Sequence, residues 1–297
     1  LKAVNLLTKS QKAVLYMIGS VICFSSMDLI VKYLDDVPFG QVLFMRFFFG
    51  MIPIFFLIPR DKIFTFYKTK RPMLHAFRAV SGTIAIIALF VALRNLPLAD
   101  VISLTFTGPL FVTIMSVIFL SEKVGIRRWS AVLIGFVGML FIIRPAFQEM
   151  NLYYIFPIIF SLGFANVAIS IRSLSKTEPN YLIAFYFSLL SLLVGFSTIV
   201  NGWIWPTPYE ALLFAILGLS GGVANLLLTQ SYRLADASLV SPIKYLSLVV
   251  AVVAGYLIFS EVPKTMTLFG AGLIVVSSFI IFRRESTLKK QVVAPRV

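Results

Sequence analysis

Several ionisable residues lie inside long apolar runs of the sequence, and four of them are candidates to bind a substrate: Asp28, Arg46, Arg78 and Lys244. A charged side chain at the centre of a bilayer costs at least about 2.5 kcal/mol, so a charge that persists there usually faces a cavity or a partner. Asp28 is suited to bind a substrate ammonium or sulfonium group, or to carry a coupling proton. Lys244 is suited to bind a carboxylate or a phosphate as a point charge.

Each of these charges also has a plainer interpretation. Asp28 could neutralise Lys32, one turn further on the same helix face, or Arg46 at a similar depth. The stems of Lys244 and Arg78 could lie along their helices while the charged heads reach the membrane surface. For Arg78, which is closer to the interface, this second arrangement is the default expectation.

Uncharged residues complete the set of candidate substrate-binding residues. Phe106 and Tyr245 occupy matching positions in the two halves of the chain and could form an aromatic wall for a purine ring or a cation. Asn166 and Asn225 lie in the middle of apolar runs, where an amide can bind a substrate or join two helices.

Cysteine and histidine are too few for most catalytic or metal sites. Cys23 is the single cysteine and His75 the single histidine, and neither lies in a pattern of ligands or catalytic partners. A clustered metal site, a Ser–His–Asp triad and a Cys–His pair are therefore excluded. The sequence predicts no catalytic residues, no metal site and no cofactor.

The composition is that of an integral membrane protein. Hydrophobic residues make up 59% of the 297 residues and charged residues 13%, with a mean hydropathy of +0.96. Soluble domains contain about 45–50% apolar and about 25% charged residues. These values exclude a soluble enzyme, a disulfide scaffold and a disordered chain. The net charge of +14 is explained by basic cytoplasmic loops rather than by binding to nucleic acid.

Apolar runs of about 20 residues, enough for a helix to cross the bilayer, recur along the whole chain. There are ten of them, at residues 13–34, 39–59, 72–94, 97–120, 128–144, 151–173, 181–201, 209–232, 237–260 and 267–283. The sequence therefore predicts an all-α membrane protein with ten transmembrane helices. Basic residues concentrate in alternate loops and in the tail 285–297, which places both termini in the cytoplasm.

The two halves of the sequence align at a shift of 139 residues, or of 140 residues over the first two helices. The coinciding landmarks are Ser81-Gly82 with Ser220-Gly221, Arg94 with Arg233, and Ser121-Glu122 with Ser260-Glu261. Each repeat, 13–144 and 151–284, contains five predicted spans, so the second must be inverted relative to the first. Inverted repeats are typical of secondary transporters that work by alternating access. A duplicated channel or membrane enzyme is the alternative.

Two stretches carry a resemblance to a known family. They read LPLADVISLTFTGPLFVTIMSVIFLSEKV and ADASLVSPIKYLSLVVAVVAGYLIFSEVP, and both end in Ser-Glu followed by a turn. Over nearly its whole length the chain resembles the EamA units of the drug/metabolite transporter superfamily, which implies transport of a small molecule. One departure is visible, because Ser247-Leu248 stands where the family commonly has Glu-Pro after Tyr-Leu. The first half keeps Pro109.

Shorter motifs resemble those of the S-adenosylmethionine uptake carriers of intracellular bacteria. They are Ser25-Ser26 with Asp28, Arg46-Phe47-Phe48-Phe49, His75 with Arg78, and Pro242-x-Lys244-Tyr245-Leu246. The resemblance implies uptake of S-adenosylmethionine across a bacterial inner membrane, with S-adenosylhomocysteine as a possible exchange partner.

Other functions remain open at this point. Related carriers export amino acids, metallophores or drugs, and a lipid flippase, a membrane enzyme or an ion channel is an alternative of another class. The expected partners are a small-molecule substrate, membrane lipids and a coupling proton, with no nucleic acid. The chain is expected to be a monomer or a homodimer.

Overall fold

The structure is a computed structural model that describes residues 9–62, 64–120, 126–149, 151–174, 177–234, 243–244 and 246–293. Within these ranges the regular elements are all helical. The α-helices are α1 (Lys9–Tyr33), α2 (Phe39–Phe55), α3 (Pro72–Asn95), α4 (Leu98–Thr105), α5 (Gly108–Leu120), α6 (Ile126–Glu149), α7 (Ile155–Leu174), α8 (Asn180–Ser197), α9 (Pro208–Leu234), α10 (Leu246–Phe259) and α11 (Thr265–Val293). Short 3₁₀ turns lie at Arg60–Lys62, Leu152–Tyr154 and Thr198–Asn201.

Proline marks the start of several helices. Pro38, Pro97 and Pro179 immediately precede α2, α4 and α8, and Pro72 is the first residue of α3. The first N–H groups of a helix have no acceptor within it, so the missing N–H of proline costs nothing there. The sequence therefore fixes these helix starts locally.

The predicted span 97–120 is two helices rather than one. α4 ends at Thr105 and α5 begins at Gly108. Pro109 has no N–H to donate to the carbonyl of Thr105, and its ring would clash with that carbonyl in a continuous helix. The hydroxyl of Thr107 instead donates to the carbonyl of Leu104 at 2.6 Å. The break leaves Phe106 in the turn between α4 and α5.

The lengths and compositions of the helices are those of membrane spans. Among the described residues, six helical segments are long and apolar enough to cross a membrane, and four shorter apolar helices lie at Phe39–Phe55, Val132–Ile143, Leu246–Phe259 and Thr265–Ser277. The count of ten crossings and the cytoplasmic position of both termini stay predictions. α11 continues to Val293, so its helix runs beyond residue 283, where the last apolar run was predicted to end.

The chain divides into two compact units. Unit 1 comprises Leu1–Ser25, Pro97–Tyr154 and Ala224–Val297, and unit 2 comprises Ser26–Leu96 and Ile155–Val223. In unit 1, α11 packs against α6 and α4, and α10 packs against α4. In unit 2, α3 packs against α7 and α8, and α2 packs against α8. Three of the four ionisable residues singled out above, Asp28, Arg46 and Arg78, belong to unit 2.

Candidate functional site

Asp28 is a buried carboxylate in the part of α1 that belongs to unit 2. Its side chain is 9% exposed, and its Oδ1 atom accepts no hydrogen bond from the described residues. Lys32 does not neutralise it, because the Lys32 ammonium donates to the carbonyls of Leu93 at 3.2 Å and Leu96 at 2.7 Å. One of the two plainer interpretations of Asp28 is therefore wrong.

Arg46 on α2 is the opposite charge that acts on Asp28. The two groups interact electrostatically but form no direct ion pair. The Arg46 side chain is buried, its Nε atom donates to the sulfur of Met27 at 3.2 Å, and its guanidinium carbon lies 4.6 Å from the centre of the Phe47 ring. Asp28 therefore keeps one carboxylate oxygen that a ligand can use.

Two glycines make room for the guanidinium of Arg46. A Cβ atom at Gly221 would lie 2.5 Å from Arg46 Cζ, and a Cβ atom at Gly50 would lie 2.7 Å from Arg46 Nη1. Both distances are far below van der Waals contact, so any larger residue would displace the guanidinium group. Here the close approach, rather than backbone flexibility, requires glycine.

Arg78 on α3 is the second buried arginine of unit 2. Its side chain is 8% exposed, and its Nε and Nη1 atoms have no hydrogen-bond partner among the described residues. Its guanidinium carbon lies 4.1 Å from the centre of the Phe187 ring, and its Nη1 lies 3.3 Å from the position of a Cβ atom at Gly82. The side chain thus runs towards Gly82, away from the nearer helix end at Pro72. The default expectation that it reaches for the membrane surface does not hold.

The rings beneath the two guanidinium groups touch each other. Phe47 and Phe187 pack edge to face, with 5.1 Å between ring centres and an angle of 87°. Edge-to-face packing is a favoured aromatic arrangement, and a cation over a ring face is attracted by its quadrupole. Arg46, Phe47, Phe187 and Arg78 therefore form one continuous row in the interior of unit 2.

The repeat in the sequence relates the surroundings of the two arginines. Phe47 and Phe187 are 140 residues apart, and Gly82 and Gly221 are 139 apart, which are the two shifts at which the halves align. We call each combination of a phenylalanine and a glycine a Phe–Gly seat. The first seat, Phe47 with Gly221, holds Arg46, and the second, Phe187 with Gly82, holds Arg78.

The other predicted substrate-binding residues are spread over both units. Asn166 lies in unit 2, half-buried on α7. Unit 1 contains Phe106, half-buried in its turn, Asn225, exposed on α9, and Lys244, half-buried. Tyr245 lies outside the described residues. The structure thus brings together Asp28, Arg46 and Arg78 within unit 2.

Three further residues of this region were not among the predicted site residues. His75 is buried one turn before Arg78, with its ring 4.8 Å from the Tyr186 ring and no hydrogen bond from the described residues to either ring nitrogen. The sequence feature that could have identified His75 is its spacing of three residues from Arg78. Phe47 and Phe187 have no such feature, because a phenylalanine within an apolar run can equally face lipid or the protein interior. Phe47 is fully buried, whereas the neighbouring Phe48 is 50% exposed.

Two acidic residues of unit 1 have a structural role. Asp100, in the first turn of α4, accepts hydrogen bonds from the hydroxyls of Tyr154 at 2.5 Å and Thr267 at 2.7 Å. Glu261 accepts from the backbone N–H of Leu98 at 2.8 Å and so caps the start of α4. Its repeat partner Glu122 lies outside the described residues.

Known proteins resemble this chain over most of its length. It is 30% identical to the S-adenosylmethionine uptake transporter of Rickettsia bellii (strain RML369-C), over 92% of this chain and 94% of that protein. It is 29% identical to a riboflavin transporter of Rhizobium johnstonii, over 91% of each chain. It is 28% identical to the pseudopaline exporter CntI of Pseudomonas aeruginosa, over 88% of this chain and 93% of that protein.

A solved structure and a family match are consistent with these relatives. A protein of known crystal structure aligns with a TM-score of 0.64 at 16% identity, over 95% of this chain and 99% of that chain, which shows a shared fold. The EamA-like transporter family matches the sequence twice, over residues 11–144 and 151–283. The chain therefore belongs to the EamA-like transporter family and is a multi-pass membrane transporter.

Proposed function

We propose that this protein is a secondary transporter that takes up S-adenosylmethionine, with S-adenosylhomocysteine as the exchange partner. S-adenosylmethionine carries an ammonium, a sulfonium, a carboxylate and a purine. The names of several relatives support this substrate, since four Rickettsia proteins that are 28–30% identical to the chain are S-adenosylmethionine uptake transporters.

The observation that carries the proposal is the unpartnered oxygen of Asp28 inside an apolar helix bundle. A buried carboxylate without a direct partner is costly, because few groups replace the water it has lost. A cationic group of a ligand would provide the partner that the Asp28 carboxylate lacks. Within our proposal, Asp28 binds the ammonium or the sulfonium of the substrate, or carries a coupling proton when the substrate is absent.

The remaining candidates are further substrate contacts in this proposal. Lys244 binds a negative group of the substrate, Phe106 and Tyr245 contact the purine, and Asn166 and Asn225 donate hydrogen bonds. Half-burial of Lys244 and Phe106 supports their access to a ligand. Exposure of Asn225 is equally compatible with a contact to lipid or to a neighbouring helix.

The architecture that we propose for this function is ten crossings arranged as two inverted five-helix repeats, 13–144 and 151–284. The basic tail 285–297 and both termini lie in the cytoplasm of a bacterial cell, with the protein in the inner membrane as a monomer or homodimer. The double match to the family supports two repeats, and the charge pattern of the loops supports the orientation. Alternating access then requires no ATP and no cofactor.

Export is the second candidate function. A pseudopaline exporter covers nearly as much of the chain as the uptake carriers do, at a similar identity. A membrane transporter of this kind can run in either direction, because the direction is set by the gradients. The substrate and the direction therefore need separate measurements.

The experiment is uptake of labelled S-adenosylmethionine into proteoliposomes, with or without internal S-adenosylhomocysteine and with or without a proton gradient. We expect saturable uptake that internal S-adenosylhomocysteine accelerates. Folded protein that shows no uptake under any gradient would remove S-adenosylmethionine as the substrate, and amino acids, riboflavin and cationic drugs would be tested next.

A further inference from the structure

We propose that Arg78, on its seat of Phe187 and Gly82, binds the carboxylate of the transported substrate. The inference rests on the proposed function for the identity of the substrate. It adds Arg78, a residue of unit 2, to the anion-binding role that the proposed function gives to Lys244.

The first argument is the charge balance of the buried groups in unit 2. Arg46 has Asp28 as an opposite charge within electrostatic reach. Arg78 forms no ion pair with a described residue, and its Nε and Nη1 atoms are buried without a hydrogen-bond partner. A buried cation without a partner is costly in an apolar interior. An anionic group of the ligand supplies the missing partner.

The second argument is the direction of the side chain. Cα–Cβ bonds in a helix tilt towards its N-terminus, so an arginine near the start of a transmembrane helix can easily reach the nearby membrane surface. Arg78 is the seventh residue of α3, yet its guanidinium lies against Gly82, the eleventh. At about 1.5 Å per residue this places the charge about 15 Å from the helix start. A side chain that snorkels to the membrane surface would instead point towards the helix start at Pro72.

The third argument is that the guanidinium already lies against an aromatic ring. Its carbon lies 4.1 Å from the centre of the Phe187 ring, and that ring is supported by Phe47. A planar guanidinium presents a rigid fork of donors that matches a carboxylate in two parallel hydrogen bonds. The missing side chain at Gly82 keeps the Nη1 end of this fork clear. Arg78 is therefore preorganised for a planar anion.

The test compares S-adenosylmethionine with decarboxylated S-adenosylmethionine, which differs only in lacking the carboxylate. Binding of each to the purified full-length protein is measured by calorimetry. We expect the wild type to prefer S-adenosylmethionine by about 10- to 100-fold, the range for a charge-assisted hydrogen bond. Arg78→Gln should lower affinity for S-adenosylmethionine by a similar factor and leave the decarboxylated compound unchanged, and Arg78→Lys should recover part of the loss.

Arg71→Gln is the matched control. Arg71 lies seven residues before Arg78 at the start of the same helix and is exposed, with hydrogen bonds to Ser173. It should keep the wild-type preference. Equal binding of the two compounds by the wild type would overturn the inference without any variant, so a failure of Arg78→Gln to fold does not rescue it. An equal loss for both compounds in Arg78→Gln would also overturn it.

A separate arm distinguishes failure of this inference from failure of the proposed function. If the wild type binds neither compound, its melting temperature is measured while acetate replaces chloride at constant ionic strength. Stabilisation of the wild type by acetate, lost in Arg78→Gln and kept in Arg71→Gln, would support a carboxylate subsite for another substrate. No stabilisation by acetate would overturn the subsite as well.

Discussion

Lys32 and Arg94 each bind the end of the helix that carries the other. Lys32, near the end of α1, donates to the carbonyls of Leu93 and Leu96 at the end of α3. Arg94, near the end of α3, donates to the carbonyls of Leu34 at 2.6 Å and Val37 at 2.9 Å, just beyond α1. The last carbonyls of a helix accept no hydrogen bond within the helix, and a cation near the C-terminus can donate to them. The two residues thus fasten α1 to α3 and leave Asp28 without Lys32 as its partner.

Removing either cap should destabilise unit 2. We expect Lys32→Gln and Arg94→Gln each to cost about 1–2 kcal/mol of unfolding free energy, the range for a cation at a partly buried helix end. Thermal melting in detergent measures the effect. Lys68→Gln removes an exposed lysine from a loop of the same unit and should leave melting unchanged. Melting of both cap variants at the wild-type temperature would contradict the capping role.

Asp28→Asn should abolish transport without loss of stability. The change removes a buried charge that has an unpartnered oxygen, so the protein should melt at the wild-type temperature or above it. Substrate binding should fall because the amide cannot attract a cation. Asp36→Asn, at an exposed position after α1, is the control for both measurements. Normal uptake by Asp28→Asn would remove Asp28 from the proposed site.

Lys244→Ala should also abolish transport while expression and melting remain normal. The prediction follows from a charge placed within an apolar run and half-buried in the structure. Lys68→Ala serves as the control, since Lys68 is exposed in a loop. Uptake at the wild-type rate by Lys244→Ala would show that its ammonium does not act on the substrate.

Gly221→Ala should disturb the first Phe–Gly seat. The added Cβ would lie 2.5 Å from the guanidinium carbon of Arg46, so the guanidinium must move from its position over Phe47. Forcing extra atoms into a packed interior typically costs about 1–3 kcal/mol of stability. We expect transport to fall at least several-fold, because the Arg46 guanidinium is displaced. Proteoliposome uptake and melting are both measured.

Gly272→Ala is the counterpart in an open position. A Cβ atom at Gly272, within α11, would meet nothing within 4 Å, and alanine favours a helix interior over glycine by about 1 kcal/mol. This variant should match or exceed the wild type in stability and keep its transport rate. If the two alanine variants behave alike, close packing at Gly221 is not needed for function.

Tyr154→Phe should weaken unit 1. It removes one of the two hydroxyl donors to the buried Asp100 carboxylate, and a hydrogen bond to a charged group contributes about 1.5–3 kcal/mol. We expect a lower melting temperature with substrate affinity retained. Tyr256→Phe removes a hydroxyl from an exposed side chain on α10 and should have no effect. A melting temperature equal to the wild-type value would show that Thr267 alone satisfies Asp100.

The sequence alone determined the class of the protein and much of its helical framework. Long apolar runs can cross a bilayer only as helices or barrels, because every backbone polar group must be satisfied internally. Prolines such as Pro72 and Pro97 set helix starts by local geometry. Rare charges within the runs, among them Asp28 and Arg46, pointed to candidate binding positions because a charge in lipid is costly.

Only the tertiary structure decided which side chains meet. In a membrane helix the lipid face and the packed face are both apolar, so composition does not reveal which face is buried. Phe47 and its neighbour Phe48 are indistinguishable in sequence, yet the Phe47 ring is buried against the Arg46 guanidinium and the Phe187 ring, whereas Phe48 is half-exposed. The direction of Arg78 along α3 and the position of Arg46 against Gly221 depend on contacts between distant helices, which no local pattern specifies.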